Sequence, residues 1–290
     1  MLKFRLITLI SIIMALTASG MDKHKQAEKT GILLVSFGTS YTNAQVALDH
    51  IDLQVKEVFP GIEVRWAFTS IIIRNILKKR RRMIDSPAEA LARMGADGFT
   101  KIAVQSLHVI PGEEFENLQK TVNAFNQIPK SSQKIVLGKP LLYRHGDIVE
   151  TCTALQTILP AEREPTDAIV WMGHGTAHPS NIFYPGVQYY LWQQSPLLFL
   201  GTVEGYPGLD EIISGLKAKE VKTVWLQPFM SVAGDHAQND MAGDKPDSWK
   251  SHLEAAGFMV KPVLKGLAEF DAIDAIWIRH LKEVVDELEK

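Results

Sequence analysis

The chain has 290 residues, 31 Lys+Arg against 33 Asp+Glu for a formal net charge of -2, 46% hydrophobic residues and one cysteine. That size and apolar content exclude disorder and leave room for one large α/β domain or two lobes of about 130 residues. Near-neutral charge removes the long-range attraction that nucleic-acid binding needs, so no nucleic acid is expected. A lone Cys152 excludes an intrachain disulfide, a Cys-rich zinc site and a cysteine-ligated iron–sulfur cluster. Metal chemistry here would have to use the nine histidines and the carboxylates.

Lys3 and Arg5 precede an apolar run from Leu6 to Ala18, and the small residues Ala18, Ser19 and Gly20 close it. A positive start, a short apolar stretch and a small-residue junction describe a signal peptide over residues 1–20, with cleavage before Met21. The run is short of the ~20 apolar residues that span a bilayer, so no stable membrane anchor is expected. No cysteine follows the run to carry a lipid. Residues 21–30 read as a mobile lead-in, and in a bacterium the mature protein is expected in the periplasm.

From Gly31 onward short apolar runs alternate with longer amphipathic stretches. Ile32 to Phe37, Glu63 to Phe68, Lys101 to Leu107 and Lys134 to Leu137 read as strands of an N-terminal lobe, 31–145. Ala168 to Met172, Leu197 to Val203, Thr223 to Gln227 and Phe258 to Lys261 repeat the pattern in a C-terminal lobe, 146–290. Continuous runs such as Ile-Leu-Leu-Val are what strands covered on both faces require, so mainly parallel sheets with crossover helices are expected. Ser86-Pro87-Ala88-Glu89 marks a helix start with a capping serine, a proline and a capping-box glutamate. Asp271 to Lys290 reads as a closing amphipathic helix.

The halves also match each other. Gly31-Ile-Leu-Leu-Val-Ser-Phe-Gly-Thr-Ser has a counterpart in Ala168-Ile-Val-Trp-Met-Gly-His-Gly-Thr. The strand from Lys101 pairs with the strand from Lys222, so that Gln105 meets Gln227, Gly112 meets Gly234, Glu113 meets Asp235, Glu114 meets His236 and Asn117 meets Asn239. Two Rossmann-like lobes related by internal duplication are the simplest account. Ligands of open α/β sheets bind beyond the carboxyl ends of strands, which puts these turns in a cleft between lobes.

His174 sits in a Gly-His-Gly-Thr turn directly after a strand, where flanking glycines leave the imidazole uncrowded. His236 lies in Gly234-Asp-His-Ala-Gln-Asn-Asp, also past a strand and at a helix start, where Asp235 could orient its ring. Glu204 follows the strand ending at Val203, and Glu113 and Glu114 hold the matching place in the first half. Imidazole with carboxylate suits first-row divalent ions. His108 is as well placed for the core as for the cleft, and His178 for bonding within its own loop. His24, His50, His145, His252 and His280 read as solvated. The run Lys78 to Arg82 reads as a solvated helix end, with steering of a polyanionic small molecule as the functional alternative. Zincin, nucleophile-elbow, Walker and dinucleotide-binding patterns are all missing from the sequence.

Taken together, Gly31-Ile-Leu-Leu-Val-Ser-Phe-Gly-Thr-Ser, Gln105-Ser-Leu-His-Val-Ile-Pro-Gly-Glu-Glu-Phe, Met172-Gly-His-Gly-Thr and Gly234-Asp-His-Ala-Gln-Asn-Asp-Met resemble the CbiK-type sirohydrochlorin cobaltochelatases, from about Gly31 to Lys290. The resemblance implies a class II chelatase fold and insertion of Co(II), with Fe(II) as a second metal, into the tetrapyrrole sirohydrochlorin without ATP. It places the paired metal-site histidines on His174 and His236 and the cleft glutamate on Glu114. Glu204 as a further ligand rests on its strand-end position. Which histidine is ligand and which is base stays open. The Gly38-Thr39-Ser40 and Gly175-Thr176 turns are candidate donors to the eight substrate carboxylates. A periplasmic carrier of tetrapyrrole or metal with the same fold is the rival reading, and a metal-dependent hydrolase a third. Bound haem and a homo-oligomer are compatible with the sequence.

Overall fold

Alternate residues of the first strand enter two different cores, as a strand covered on both faces must. In a computed structural model describing residues 28–129 and 133–290, this strand β1 (Thr30–Ser36) turns Ile32 and Leu34 to one side and Leu33 and Val35 to the other. The export segment, and the lead-in up to residue 27, lie outside the described residues. Among the described residues no helix is long and apolar enough to cross a membrane.

The first half continues through α1 (Gln45–Val58), β2 (Glu63–Phe68), α2 (Ile71–Lys79), α3 (Pro87–Ala96), β3 (Lys101–Ser106), α4 (Glu113–Asn126) and β4 (Lys134–Gly138). The second runs α5 (His145–Thr157), β5 (Ala168–Gly173), α6 (Phe183–Gln194), β6 (Leu198–Thr202), α7 (Leu209–Ala218), β7 (Thr223–Pro228), α8 (Trp249–Ala255), β8 (Met259–Pro262) and α9 (Asp271–Leu288). Each half forms a four-stranded sheet, ordered β2-β1-β3-β4 and β6-β5-β7-β8. Every pairing is parallel. The common order, with the first strand of each half between its second and third, is the structural counterpart of the internal sequence match.

The outer face of the first sheet is covered by α3 and α4 through Leu91, Met94, Leu118 and Val122. The outer face of the second is covered by α7 and α8 through Ile212, Leu216, Trp249 and Leu253. Between the sheets lies one shared interior, where Ile32 and Leu34 join Ile169 and Trp171 through the apolar faces of α1, α5, α6 and α9. Cys152 is buried there, and burial pushes its thiol up to about 12, so it stays protonated and inert.

Helix α9 follows the second sheet in sequence but packs on β3, β4 and α5. Sequence order placed it with residues 146–290; its buried stripe, from Ile273 through Trp277 and Leu281 to Leu288, instead closes the shared interior against the first sheet. His280, expected on a solvated face, is 1% exposed, because it lies on that same stripe and reaches Asp147 at 3.1 Å. The start of α3 is as anticipated. Ser86 Oγ accepts the Glu89 N–H at 3.3 Å, and Glu89 Oε2 accepts the Ser86 N–H at 2.7 Å.

A shared interior ties the stability of the two halves together. Trp277→Ala should cost about 3–5 kcal/mol and leave a single cooperative transition in urea, whether followed by far-UV circular dichroism or tryptophan fluorescence. Two separated transitions would contradict the common core.

Candidate metal centre

Strands β6, β5 and β7 are neighbours in one parallel sheet, so their carboxyl ends lie along one edge. Each delivers one side chain just beyond that edge: Glu204, His174 and His236. One ligand atom from each of the three lies within 4.8 Å of the others. The imidazole centroids of His174 and His236 are 4.6 Å apart with planes at 88°, and Glu204 Oε2 is 3.8 Å from His174 Nδ1. All three belong to the second sheet. Adjacent strands of that one sheet bring the three together.

Backbone pairing holds the first two in place. The β5–β6 ladder continues past the strands, with Val203 N–H donating to Gly173 O at 3.1 Å and Glu204 N–H to His174 O at 2.8 Å. Gly175 turns the chain at φ +80, and a Cβ there would stand 2.5 Å from Gly205 N and 2.9 Å from Glu204 C. Glycine is thus required for the close approach as well as the left-handed turn. Asn181 then braces the loops, accepting the Thr176 N–H at 3.2 Å and donating to Tyr206 O at 2.8 Å.

His236 opens one turn of π-helix, His236–Met241. That turn sets Asp240 beside it, with Oδ2 2.5 Å from His236 Nδ1. Asp235 was expected to orient the ring. It precedes the turn and points elsewhere, accepting Tyr41 O–H at 2.6 Å and Asn239 Nδ2–H at 2.9 Å. The π-turn was not visible in the sequence, although Asp240 four residues after a histidine was the available signal.

Tautomers follow from the partners. A carbonyl oxygen can only accept, so the 2.8 Å contact to Gly175 O puts hydrogen on His174 Nδ1. The Asp240 carboxylate does the same for His236. Both rings then present the Nε2 lone pair, the carboxylate–histidine arrangement that fixes metal-binding imidazoles. Two imidazoles and a carboxylate fit a first-row divalent ion and leave coordination positions open for exchange.

The first lobe meets this edge through the turn after β1. Gly38 adopts φ +96 against the Phe68 ring. Thr39 is buried and its Oγ1 accepts the Tyr41 N–H at 3.1 Å, while Ser40 O accepts from Arg80 Nη1 at 2.5 Å. Tyr41 reaches across to Asp235, whose carboxylate, by accepting the phenol hydrogen, raises the Tyr41 pKa above its usual value. This clasp joins the lobes one residue from His236. On the other side, His178 Nε2 lies 3.2 Å from Glu116 Oε1 of α4.

Glu114 is half-buried in the first turn of α4 and is not part of the His174–Glu204–His236 group; Glu113 is exposed beside it. His108 belongs to the interior. Burial pushes it down to about 4, so it is neutral, and its Nδ1 meets Ser106 Oγ at 2.8 Å. His50 bonds Asp274 at 2.9 Å and His145 bonds the Tyr190 hydroxyl at 2.8 Å, both away from the triad.

A family model described as cobalt chelatase (CbiK) matches residues 30–286. The chain is 42% identical to sirohydrochlorin cobaltochelatase CbiKC of Nitratidesulfovibrio vulgaris over 268 residues, covering 92% of this chain and 95% of that protein. It is 37% identical to the sirohydrochlorin cobaltochelatase of Salmonella typhimurium, covering 89% and 97%. SirB from Bacillus subtilis, solved with Fe3+, shares the fold at 15% identity and a TM-score of 0.59, covering 90% of this chain and 97% of that one.

The orienting role of Asp240 has a direct test. Asp240→Asn should weaken Co(II) binding about 10–100-fold in calorimetric titration with circular dichroism unchanged, whereas Asp235→Asn should leave the metal affinity within about threefold, far less than removal of an orienting carboxylate.

Proposed function

The chain belongs to the cobalt chelatase (CbiK) family and is a metal chelatase, and we propose that it inserts Co(II) into sirohydrochlorin with His174, Glu204 and His236 holding the incoming ion. The observation that carries this reading is the meeting of those three side chains, with both imidazoles fixed through Nδ1 and both Nε2 lone pairs free.

Insertion exchanges one divalent cation for two protons: the ion enters the ring and two pyrrolic N–H protons leave. The same two Nε2 lone pairs serve both halves of that exchange. While the ion is loaded they coordinate it. Once it passes to the macrocycle nitrogens they are released, and each can accept one proton. Ligand and base are then successive roles of both histidines, which removes the need to divide the roles between them. Each resulting imidazolium has its own carboxylate, Glu204 near His174 and Asp240 on His236, so two positive charges about one ring-width apart are individually offset.

Three protein ligands leave the ion with exchangeable positions, so coordination by pyrrole nitrogen can begin before the protein releases it. Clamping the macrocycle opposite the ion makes the exchange effectively unimolecular, a positioning effect. Glu114, on α4 of the first lobe, serves in this reading to pass a proton from the histidines on to solvent. The Gly38-Thr39-Ser40 and Gly175-Thr176 turns meet substrate carboxylates. Fe(II) is a second metal compatible with the same donor set. No phosphate-binding loop stands in the sequence, in keeping with insertion without ATP. The segment 1–20 directs export, so that the mature chain starts at Met21 in the periplasm.

Purified protein given sirohydrochlorin and Co(II) without oxygen should turn over many equivalents. His174→Ala and His236→Ala should each lose more than the ~10–100-fold typical of changes outside the ligand set, with the fold intact by circular dichroism. Near-wild-type insertion by both variants would remove the site, and one equivalent taken up without turnover would make the protein a carrier. Amino-terminal sequencing of periplasmic protein should begin at Met21; an intact amino terminus confined to the cytoplasm would refute export.

A further inference from the structure

Helix α2 does not return across the sheet as a crossover helix would. It starts just past the carboxyl end of β2, and the chain after it comes back to that same end, where Asp85 bridges Ala67 and Asp85 O accepts the Phe68 N–H at 3.0 Å. The helix therefore lies along the cleft edge of the first lobe. Leu77 anchors it in the shared interior, and Ser70 caps its start by accepting the Ile73 N–H at 3.3 Å.

What α2 leaves in solvent has two chemistries. Ile71 and Ile72 are 63% and 69% exposed at its first turn. Lys78, Lys79, Arg80, Arg81 and Arg82 are all exposed at its end, and among the described residues none of the five makes an ion pair with a carboxylate. Arg80 instead donates to Ser40 O, beside the Tyr41 that clasps Asp235 next to His236. The basic end thus stands a few residue contacts from the metal triad. Arg81 closes the helix in the left-handed region at φ 60, with Arg82 N–H donating back to Leu77 O at 2.9 Å. Glycine is the residue that suits this position, and Glu220, at φ 55, closes α7 in the same way.

We propose that α2 is the docking lip for the macrocycle, with Ile71 and Ile72 against its apolar ring and Lys78, Arg81 and Arg82 binding its peripheral carboxylates. The assignment rests on the chelatase reading of the triad and specifies how the substrate is held. Charge complementarity selects the occupant: an apolar disc rimmed by eight carboxylates matches an apolar turn followed by unpaired cations. Ile71 and Lys78, seven residues apart, share one helix face and are separated by about 10 Å along the axis, so one face offers the apolar and the cationic contact together.

The test is equilibrium binding of sirohydrochlorin, followed by its fluorescence, with insertion rates measured separately. The triple variant Lys78→Glu/Arg81→Glu/Arg82→Glu should weaken binding at least tenfold at low salt and flatten its salt dependence. Co(II) affinity without macrocycle should be unchanged. Ile71→Ser/Ile72→Ser should weaken binding at low and high salt alike. Arg81→Gly should keep or raise the melting temperature while weakening sirohydrochlorin binding, which a purely structural role would not produce. Lys217→Glu/Lys219→Glu/Lys222→Glu, the same charge change at the far edge of the second sheet, should bind as wild type. Binding by the first triple variant within twofold of that control overturns the lip. Wild type that binds sirohydrochlorin but does not insert metal overturns the chelatase reading instead, and the binding comparison still decides the lip.

Discussion

Parallel pairing of β6, β5 and β7 is the constraint on which the centre depends. Strands that run the same way end at the same edge, so residues 174, 204 and 236 become neighbours although they are far apart in sequence. Hydrogen bonds from the ladder continue into the His174 and Glu204 loops, and the absence of a side chain at Gly175 lets those loops touch. Precision of this kind comes from backbone geometry and survives in a site that is half open to water.

The shared interior sets how the cleft can behave. Because α9 returns to the first sheet and α1, α5 and α6 fill the space between sheets, the halves are not two independently cored bodies joined by a hinge. Large rotations would expose Trp171 and Trp277, both fully buried. Movement is more cheaply confined to the rim, where the Tyr41–Asp235–Asn239 clasp and the His178–Glu116 pair span the lobes through exposed or half-exposed groups.

Metal and proton traffic use the same atoms in the proposed cycle. An imidazole held through Nδ1 has one lone pair to offer, and it can be given to a cation or to a proton but not to both. That exclusivity makes the release of the ion and the capture of ring protons parts of one event. In that proposed cycle two imidazole donors give a divalent ion fewer anionic partners than an all-carboxylate cage would, which favours passing the ion on.

Strand positions, the parallel character of both sheets, the α3 capping box and the candidacy of His174, Glu204 and His236 were all legible in the sequence, because continuous apolar runs, cap residues and strand-end glycines are local signals. The fate of α9 and His280 was not, since an amphipathic stripe announces that it will be buried and says nothing about which sheet will bury it. Nor could the sequence separate Asp235 from Asp240 as the partner of His236; a single π-turn, held by tertiary contacts, selects the second. Glu114 resembled His236 in register yet stands on the other lobe, outside the triad. By itself the sequence determined which chemistry was available, imidazole and carboxylate with no cysteine to compete. Only the tertiary structure decided which of these side chains meet and which ring nitrogen each imidazole leaves free, because that depends on strand order, loop closure and hydrogen-bond partners brought from elsewhere in the chain.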